Sequence, residues 1–340
     1  MSTPPEQVLR WAANAVGAGA VVESSRSLRA GDDGPWLLRL TDGRTTIDAV
    51  LKTGPPEWHE LRTEGTALAW AEQHRLPTPR LLAFEKEAAA GFLAILTAVL
   101  PGSTRIPRVA TPQRLRALGA AAAAVHSVPL APRPDLPLRT HHMPWVDRAA
   151  ERRWARRYQQ TTDAQERDAI VAEWRNVGLA PSQDEAHTVL RETRSTPLLD
   201  EADDRLQDMT PPRGETVFVH GDLWHANTMW DGDSYVGMID WDAAGAGHYG
   251  VDLGSLRWDA AILFGPNAPG EILTGWEEAS GRKAENVAYW DITAALNTDV
   301  ELDSFVEIIH AEGRPDLDAA TLTERRDGFI RTALDRLGHD

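Results

Sequence analysis

Residues 218–241 read FVHGDLWHANTMWDGDSYVGMIDW, and few folds can accommodate such a stretch. Apolar TVFV (216–219) asks to be a buried strand, yet it delivers His220, Gly221 and Asp222 straight into a loop. Asn227 follows five residues after Asp222. TMW, an Asp-Gly turn and YVGMI then make a strand, a turn and a returning strand, which carries Asp240 back beside Asn227. One hairpin thus gathers two carboxylates and an amide at its base. These are hard oxygen donors, suited to Mg2+ and poorly suited to zinc. With Asn227 and Asp240 holding metal, Asp222 is left to orient a hydroxyl.

The rest of the composition bounds the setting. A chain of 340 residues is long for one core and suits two lobes. It contains no cysteine, which removes disulfides and thiolate metal sites and points to a reducing cytoplasm. The N-terminal MSTPPEQVLRWAANAVG lacks the pattern of a signal peptide. The longest apolar run, GFLAILTAVL (91–100), is about half a membrane span and reads as a buried strand. Net charge is −16, and residues 241–340 hold 19 acidic against 8 basic residues. An acidic field repels nucleic acid and concentrates cations, so neither nucleic acid nor membrane is expected as a partner. Only Lys52, Lys86 and Lys283 are lysine, against 32 arginines, which makes each one worth inspecting.

Periodicity and turn signals predict two unequal parts. PWLLRL (35–40) and TTIDAVLKT (45–53) read as hairpin strands around an Asp-Gly turn, followed by a helix over 57–74. In the first hundred residues this is the one helix expected. Two further strands end at Pro101-Gly102. A helix over 111–128 opens with Thr at the cap and Pro in the first turn. A proline-rich connector (129–145) leads to charged helices near 147–160 and 163–177, the second capped by Asp163 and stopped by Gly178. Beyond Tyr249 the chain reads as mostly helical. The expected class is α+β: a β-rich lobe over 1–96, a linker over 97–102 and a larger helical lobe over 103–340.

Phosphoryl transfer requires the parts that residues 218–241 supply, because it depends on positioning and charge neutralisation more than on covalent chemistry. The spacing from Asp222 to Asn227 matches a protein-kinase catalytic loop, and IDW stands where a kinase has DFG. HGDLWHAN and IDWDAAGAGHYGVDLGSL (239–256) resemble the H-G-D-x-x-x-x-N loop and I-D-W/F…D-L run of the aminoglycoside phosphotransferase family. AAAAAVHS (120–127) resembles that family's helix ending in Leu-His. The resemblance implies a protein-kinase-like two-lobed fold. Asp222 would be the catalytic base or hydroxyl-orienting residue, and Asn227 and Asp240 the Mg2+ ligands. Asp252 would hold the catalytic loop, with His220 bracing it.

In the first lobe, Lys52 ends the second hairpin strand where the phosphate-binding lysine is expected. Glu64 aligns with its partner glutamate, with Glu60 as the competitor one turn earlier. RAGDDGPW (29–36) is the expected phosphate-covering loop, although Asp32 and Asp33 would repel phosphate. Backbone groups of Ala98 and Leu100 would receive the base of ATP or GTP. Trp224 is a candidate wall of the acceptor site. Asp259, seven residues after Asp252 on one helix stripe, is a candidate for an acceptor ammonium. Most of the other tryptophans, 13 in all, read as packing, and the arginines of DRAAERRWARR (147–157) as a solvated face. The resemblance implies a cytoplasmic kinase, monomer or homodimer, acting on a cationic antibiotic (aminoglycoside-like or basic peptide) and so giving resistance. Choline, homoserine, thiosugar, fructosamine and macrolide kinases share the architecture and stand as alternatives. A catalytically inactive kinase-like binding protein is the alternative from another class.

Overall fold

The computed structural model describes residues 3–28, 34–89, 91–176 and 182–337. The first lobe is built from α1 (Glu6–Val16), β1 (Val21–Ser27), β2 (Trp36–Thr41), β3 (Thr46–Gly54), α2 (His59–Gln73), β4 (Leu81–Glu85) and β5 (Leu93–Ala98). Its five strands form one antiparallel sheet in the order β1-β2-β3-β5-β4. Strand alternation gives the sheet two distinct faces. Leu38, Leu40, Ala49, Leu51, Ala94 and Leu96 pack with Val8 and Ala12 of α1. Leu93 and Ile95 share the opposite core with Leu61, Ala67, Leu68 and Ala71 of α2. Lys52 follows Leu51 and pairs with Ile95, so it stands on the α2 face.

Helix α1 is an addition to the one helix expected in this lobe. It begins after Pro5, and Val8, Ala12 and Ala13 make its buried stripe. Leu9, Trp11 and Val16 flank that stripe, so the helical spacing was present in the sequence and was passed over.

Residues 99–102 lead into the second lobe. It contains α3 (Pro112–His126), β6 (Leu138–Arg139), α4 (Arg148–Gln160), α5 (Ala164–Asn176), α6 (Gln183–Glu192), α7 (Pro197–Gln207) and β7 (Val217–Val219). There follow β8 (Thr228–Asp231), β9 (Ser234–Met238), β10 (Gly245–Gly247), α8 (Gly250–Phe264), α9 (Ala268–Ser280), α10 (Val287–Leu296), α11 (Asp303–Ala311) and α12 (Ala319–Arg336). The caps read from sequence are in place. Thr111 accepts from Arg114 N (3.1 Å), and Asp163 accepts from Gln165 N and Glu166 N (2.7 and 3.0 Å). Gly178, the expected stop, lies outside the described residues. Helices α6 and α7 fall in a stretch where the sequence offered no motif.

The arginine run of α4 is only in part the solvated face expected of it: Arg157 is exposed, but the others are partly or wholly covered. Arg152 is buried and donates to Thr298 O (2.7 Å). Arg153 and Arg156 pair with Asp203 and Asp204 of α7 (2.6 and 2.9 Å), and Arg157 with Glu173 of α5 (3.1 Å). The positive side chains hold neighbouring acidic helices, which sequence spacing could not reveal. Among the described residues no helix is long and apolar enough to cross a membrane.

One core joins the lobes: Leu61, Leu68 and Ile95 cluster with Leu118, Phe218, Met238 and Trp241. Behind it α3 and α9 cross at backbone contact, because each presents a glycine. A Cβ on Gly119 would lie 2.0 Å from Ile272 O, and one on Gly275 would lie 2.1 Å from Arg116 O. Gly275→Ala should therefore lower unfolding free energy by about 1–3 kcal/mol through overpacking. Urea denaturation measures this, and an unchanged midpoint would mean that the two helices separate freely.

Candidate active site

Strand β7 ends at the interface between the lobes, and its continuation is held by Asp252 from the first turn of α8. The two oxygens of Asp252 accept from His220 N (2.7 Å) and Gly221 N (2.8 Å). His126, the last residue of α3, donates from Nε2 to the same carboxylate (3.1 Å), and its Nδ1 accepts from Trp276 Nε1 (2.9 Å). This chain of bonds fixes the imidazole's tautomer. Burial works against a charged Asp252, but the hydrogen bonds from His126 and from the His220 backbone hold its carboxyl below the usual range. Gly221 is obligatory: its φ is +80°, and an added Cβ would stand 2.1 Å from Ala243 O.

His220 donates from Nε2 to Ile239 O (2.9 Å) and stacks near Trp241 (4.5 Å between ring centres). This bond links the loop to the end of the hairpin. Ile239 N in turn donates to Asn227 O (2.9 Å), just beyond the last β8–β9 pair, Thr228 with Met238. Asp240 then adopts a left-handed backbone (φ +65°), which turns its carboxylate towards the first lobe.

There it meets Lys52. The ammonium lies 2.6 Å from Asp240 Oδ1, and 2.6 and 2.7 Å from the two oxygens of Glu64. Burial opposes its charge, but Glu64 and Asp240 outweigh burial and hold Lys52 above the ordinary lysine range. Glu60 is exposed on α2 and has no such contact with Lys52, so Glu64 is the partner. The other two lysines pair elsewhere, Lys86 with Asp135 and Lys283 with Glu277.

Asp222 accepts at Oδ2 from Asn227 Nδ2 (3.1 Å), which also donates to Asp222 O (2.8 Å). With Nδ2 so committed, Oδ1 is the atom that Asn227 can offer a cation. Burial, and then the nearby Asp240 charge, push the Asp222 carboxyl up to about 7. Asp242 was not singled out from sequence, although IDWD places it two residues after Asp240. Its carboxyl rises to about 8, through burial first and Asp240 second. It lines a cavity of about 230 Å3 between α2 and residues 134–145, together with Glu60, Asp135, Arg139 and Trp145.

The site residues fit a hard cation that keeps other ligands. Asp240 and Asn227 contribute one carboxylate and one amide oxygen, and Mg2+ is commonly held by one or two carboxylates plus substrate phosphates. Among the described residues no group of three or more His, Asp or Glu side chains converges as a transition metal would require.

One expectation needs correction and others are narrowed. Asp259 lies on the same stripe of α8 as Asp252, but that stripe faces the catalytic loop. It is 2% exposed and bonded to His225, so it does not stand on a cleft wall. Ala98 N donates to Arg80 O (2.9 Å), so that N–H is spent inside the sheet and any contact of Ala98 with a base falls to its carbonyl. Trp224 is half-buried against the helical core of the second lobe. The proposed phosphate-covering loop falls largely outside the described residues, Asp32 and Asp33 included; Gly34 to Trp36 lead into β2. Leu100 is half-buried.

Two lobes with a lysine–glutamate pair above a pinned Asp…Asn loop and a metal-suited aspartate define a kinase-like phosphotransferase. The sequence model of the phosphotransferase enzyme family matches residues 25–290, and the chain belongs to that family. Solved structures of similar fold include macrolide 2′-phosphotransferase MphH from Brachybacterium faecium, 20% identical, with 96% of this chain and 97% of that one covered and a TM-score of 0.54. Spectinomycin phosphotransferase APH(9)-Ia, in complex with ADP and spectinomycin, is 13% identical over 98% of each chain, with a TM-score of 0.55. Amicoumacin kinase hAmiN, in complex with AMP-PNP, Ca2+ and its antibiotic, is 14% identical over 97% of this chain and 94% of that one (TM-score 0.53). No curated protein sequence matches the chain.

The raised carboxyls make stability fall with pH. An unfolded aspartate titrates near 3.8, so between about 4 and about 8 the folded protein holds protons at Asp222 and Asp242 that the unfolded chain has released. Without metal or nucleotide, raising the pH from about 4 to about 7 should lower Tm more in the native protein than in Asp222→Asn. Above about 8 the difference should stay constant. Thermal melts in parallel buffers check this, and identical profiles would place Asp222 in an ordinary environment.

Proposed function

We propose that the enzyme transfers the γ-phosphoryl group of ATP or GTP to a hydroxyl of a small cationic molecule. The observation that carries this reading is the joining of Lys52, Glu64 and Asp240 across the lobes, beside Asp222 in a loop fixed from behind. Residues 1–96 serve as the nucleotide-binding lobe, 97–102 as the hinge and 103–340 as the catalytic lobe. Lys52 binds phosphate oxygens while Glu64 keeps it extended. Asn227 and Asp240 hold Mg2+, which when bound neutralises phosphate charge. Asp222 orients the acceptor hydroxyl and receives its proton, and a carboxyl near 7 suits that exchange. Asp252 and His220 keep the loop's backbone in place. The intact Lys52–Glu64 pair speaks for turnover over an inactive binding role.

The acceptor reading rests on the cavity beside Asp242. Glu60 offers a carboxylate for an ammonium, Asp242 would ionise beside a bound cation, Trp145 and nearby prolines offer apolar surface, and Arg62 and Arg139 limit the net charge. The acidity of the last hundred residues is a weaker argument than it was from sequence. Asp291 is tied to Arg257 and Glu271 to Arg116. Related folds carry macrolide, spectinomycin and amicoumacin kinases, which is consistent with an antibiotic acceptor and a role in resistance.

Steady-state kinetics against a panel of antibiotics and amino alcohols test both parts. Asp222→Asn should lower kcat by roughly 10²–10⁴-fold with nucleotide affinity little changed. For the preferred acceptor, KM should rise with ionic strength more than nucleotide KM does. Near-normal turnover in the variant would remove Asp222 from the mechanism, and a flat salt response would move the acceptor to a neutral or apolar class.

A further inference from the structure

Helix α8 carries a second buried carboxylate one heptad after Asp252, and it holds the other end of the same loop. Seven residues are about two helical turns, so Asp252 and Asp259 lie on one face roughly 10 Å apart. Asp252 takes the N–H groups of His220 and Gly221, where the loop begins. Asp259 Oδ2 accepts from His225 N (3.1 Å) and also bonds His225 Nδ1, where the loop closes. Both partners are buried, at 1% and 2% exposure, and His225 packs edge-on to Phe264. From His225 the chain makes a 3-10 turn through Asn227. Its shape is fixed by Asn227 N to Trp224 O (3.1 Å) and by Thr228 Oγ1 to His225 O (2.6 Å).

We propose that the Asp259–His225 pair is a positioning device for Asn227, acting on metal affinity rather than on nucleotide or acceptor binding. The inference rests on the reading of Asn227 as a metal ligand. Asn227 sits two residues after His225 and its Nδ2 is committed to Asp222, so the direction of Oδ1 follows from the turn that the pair anchors. A buried polar pair that served packing alone would not need a particular ring nitrogen. Here the engaged atom is Nδ1, whereas His225 Nε2 is buried without a partner among the described residues.

That asymmetry supplies the test. An asparagine side chain can place an N–H where Nδ1 was, and a glutamine reaches where Nε2 was. His225→Ala and His225→Gln should weaken Mn2+ binding to the enzyme–AMP-PNP complex, measured by water-proton relaxation, by about 10–100-fold, as loss of a group that orients a metal ligand does. The Mg2+ concentration for half-maximal activity should shift in parallel. His225→Asn should restore most of the affinity, and metal-free nucleotide affinity should be unchanged throughout. Asp259→Asn, which keeps shape and one acceptor oxygen, supplies a folded variant and should show a smaller shift in the same direction. Unchanged metal affinity in His225→Ala and Asp259→Asn, or equal rescue by Gln and Asn, would overturn the positioning role. Asn227→Ala separates the two layers. If it shifts metal affinity and His225→Ala does not, the positioning inference alone fails; if it shifts nothing, the metal reading fails and takes the inference with it.

Discussion

Asp252 is the buried charge on which the site depends. A carboxylate with no solvent exposure is expensive unless its oxygens are hydrogen-bonded. Here two backbone N–H groups and His126 meet that demand, and Trp276 fixes His126 in turn. The bond network therefore ties the start of the catalytic loop to three helices, α3, α8 and α9. The glycines that let α3 and α9 touch allow His126 and Trp276 to come within hydrogen-bonding distance. Removing the Asp252 carboxylate would free two buried N–H groups and a histidine together.

From this anchor the site extends by short covalent steps. Only Gly221 separates His220 from Asp222, and the β8–β9 hairpin brings Asp240 back beside Asn227. To the site the first lobe contributes Lys52, on the strand face that alternation assigns to α2. The lobes thus meet through a shared apolar core, the Lys52 cluster and the Lys86–Asp135 pair. Burial, and then the neighbouring Asp240 charge, raise the carboxyls of Asp222 and Asp242, and a cation bound beside them would lower both.

The loop and hairpin were legible because their chemistry demands particular residue types at set spacings. Asp222, Asn227 and Asp240 each occupy the places that the sequence suggests, and Lys52 meets Glu64 rather than Glu60. What was illegible depended on direction or on partners distant in sequence. The stripe shared by Asp252 and Asp259 was read correctly, but periodicity does not say which neighbour a stripe faces. The Ala98 N–H looked available because its acceptor, Arg80 O, belongs to another strand end. The α4 arginines looked solvated because α7, which supplies Asp203 and Asp204, went unread, although Thr196 and Pro197 open it as Thr111 and Pro112 open α3. Helix α1 was passed over likewise, although Val8, Leu9, Ala12 and Val16 follow helical spacing.

The most direct test of the account follows the γ-phosphoryl group itself. The enzyme would be incubated with Mg2+ and γ-labelled nucleotide, alone and with each of a set of hydroxyl-bearing cationic compounds, and the label located by chromatography and mass spectrometry. The account predicts that label appears on a hydroxyl of at least one compound, in proportion to the nucleoside diphosphate formed. Label released only as inorganic phosphate, at a rate indifferent to every compound offered, would contradict it.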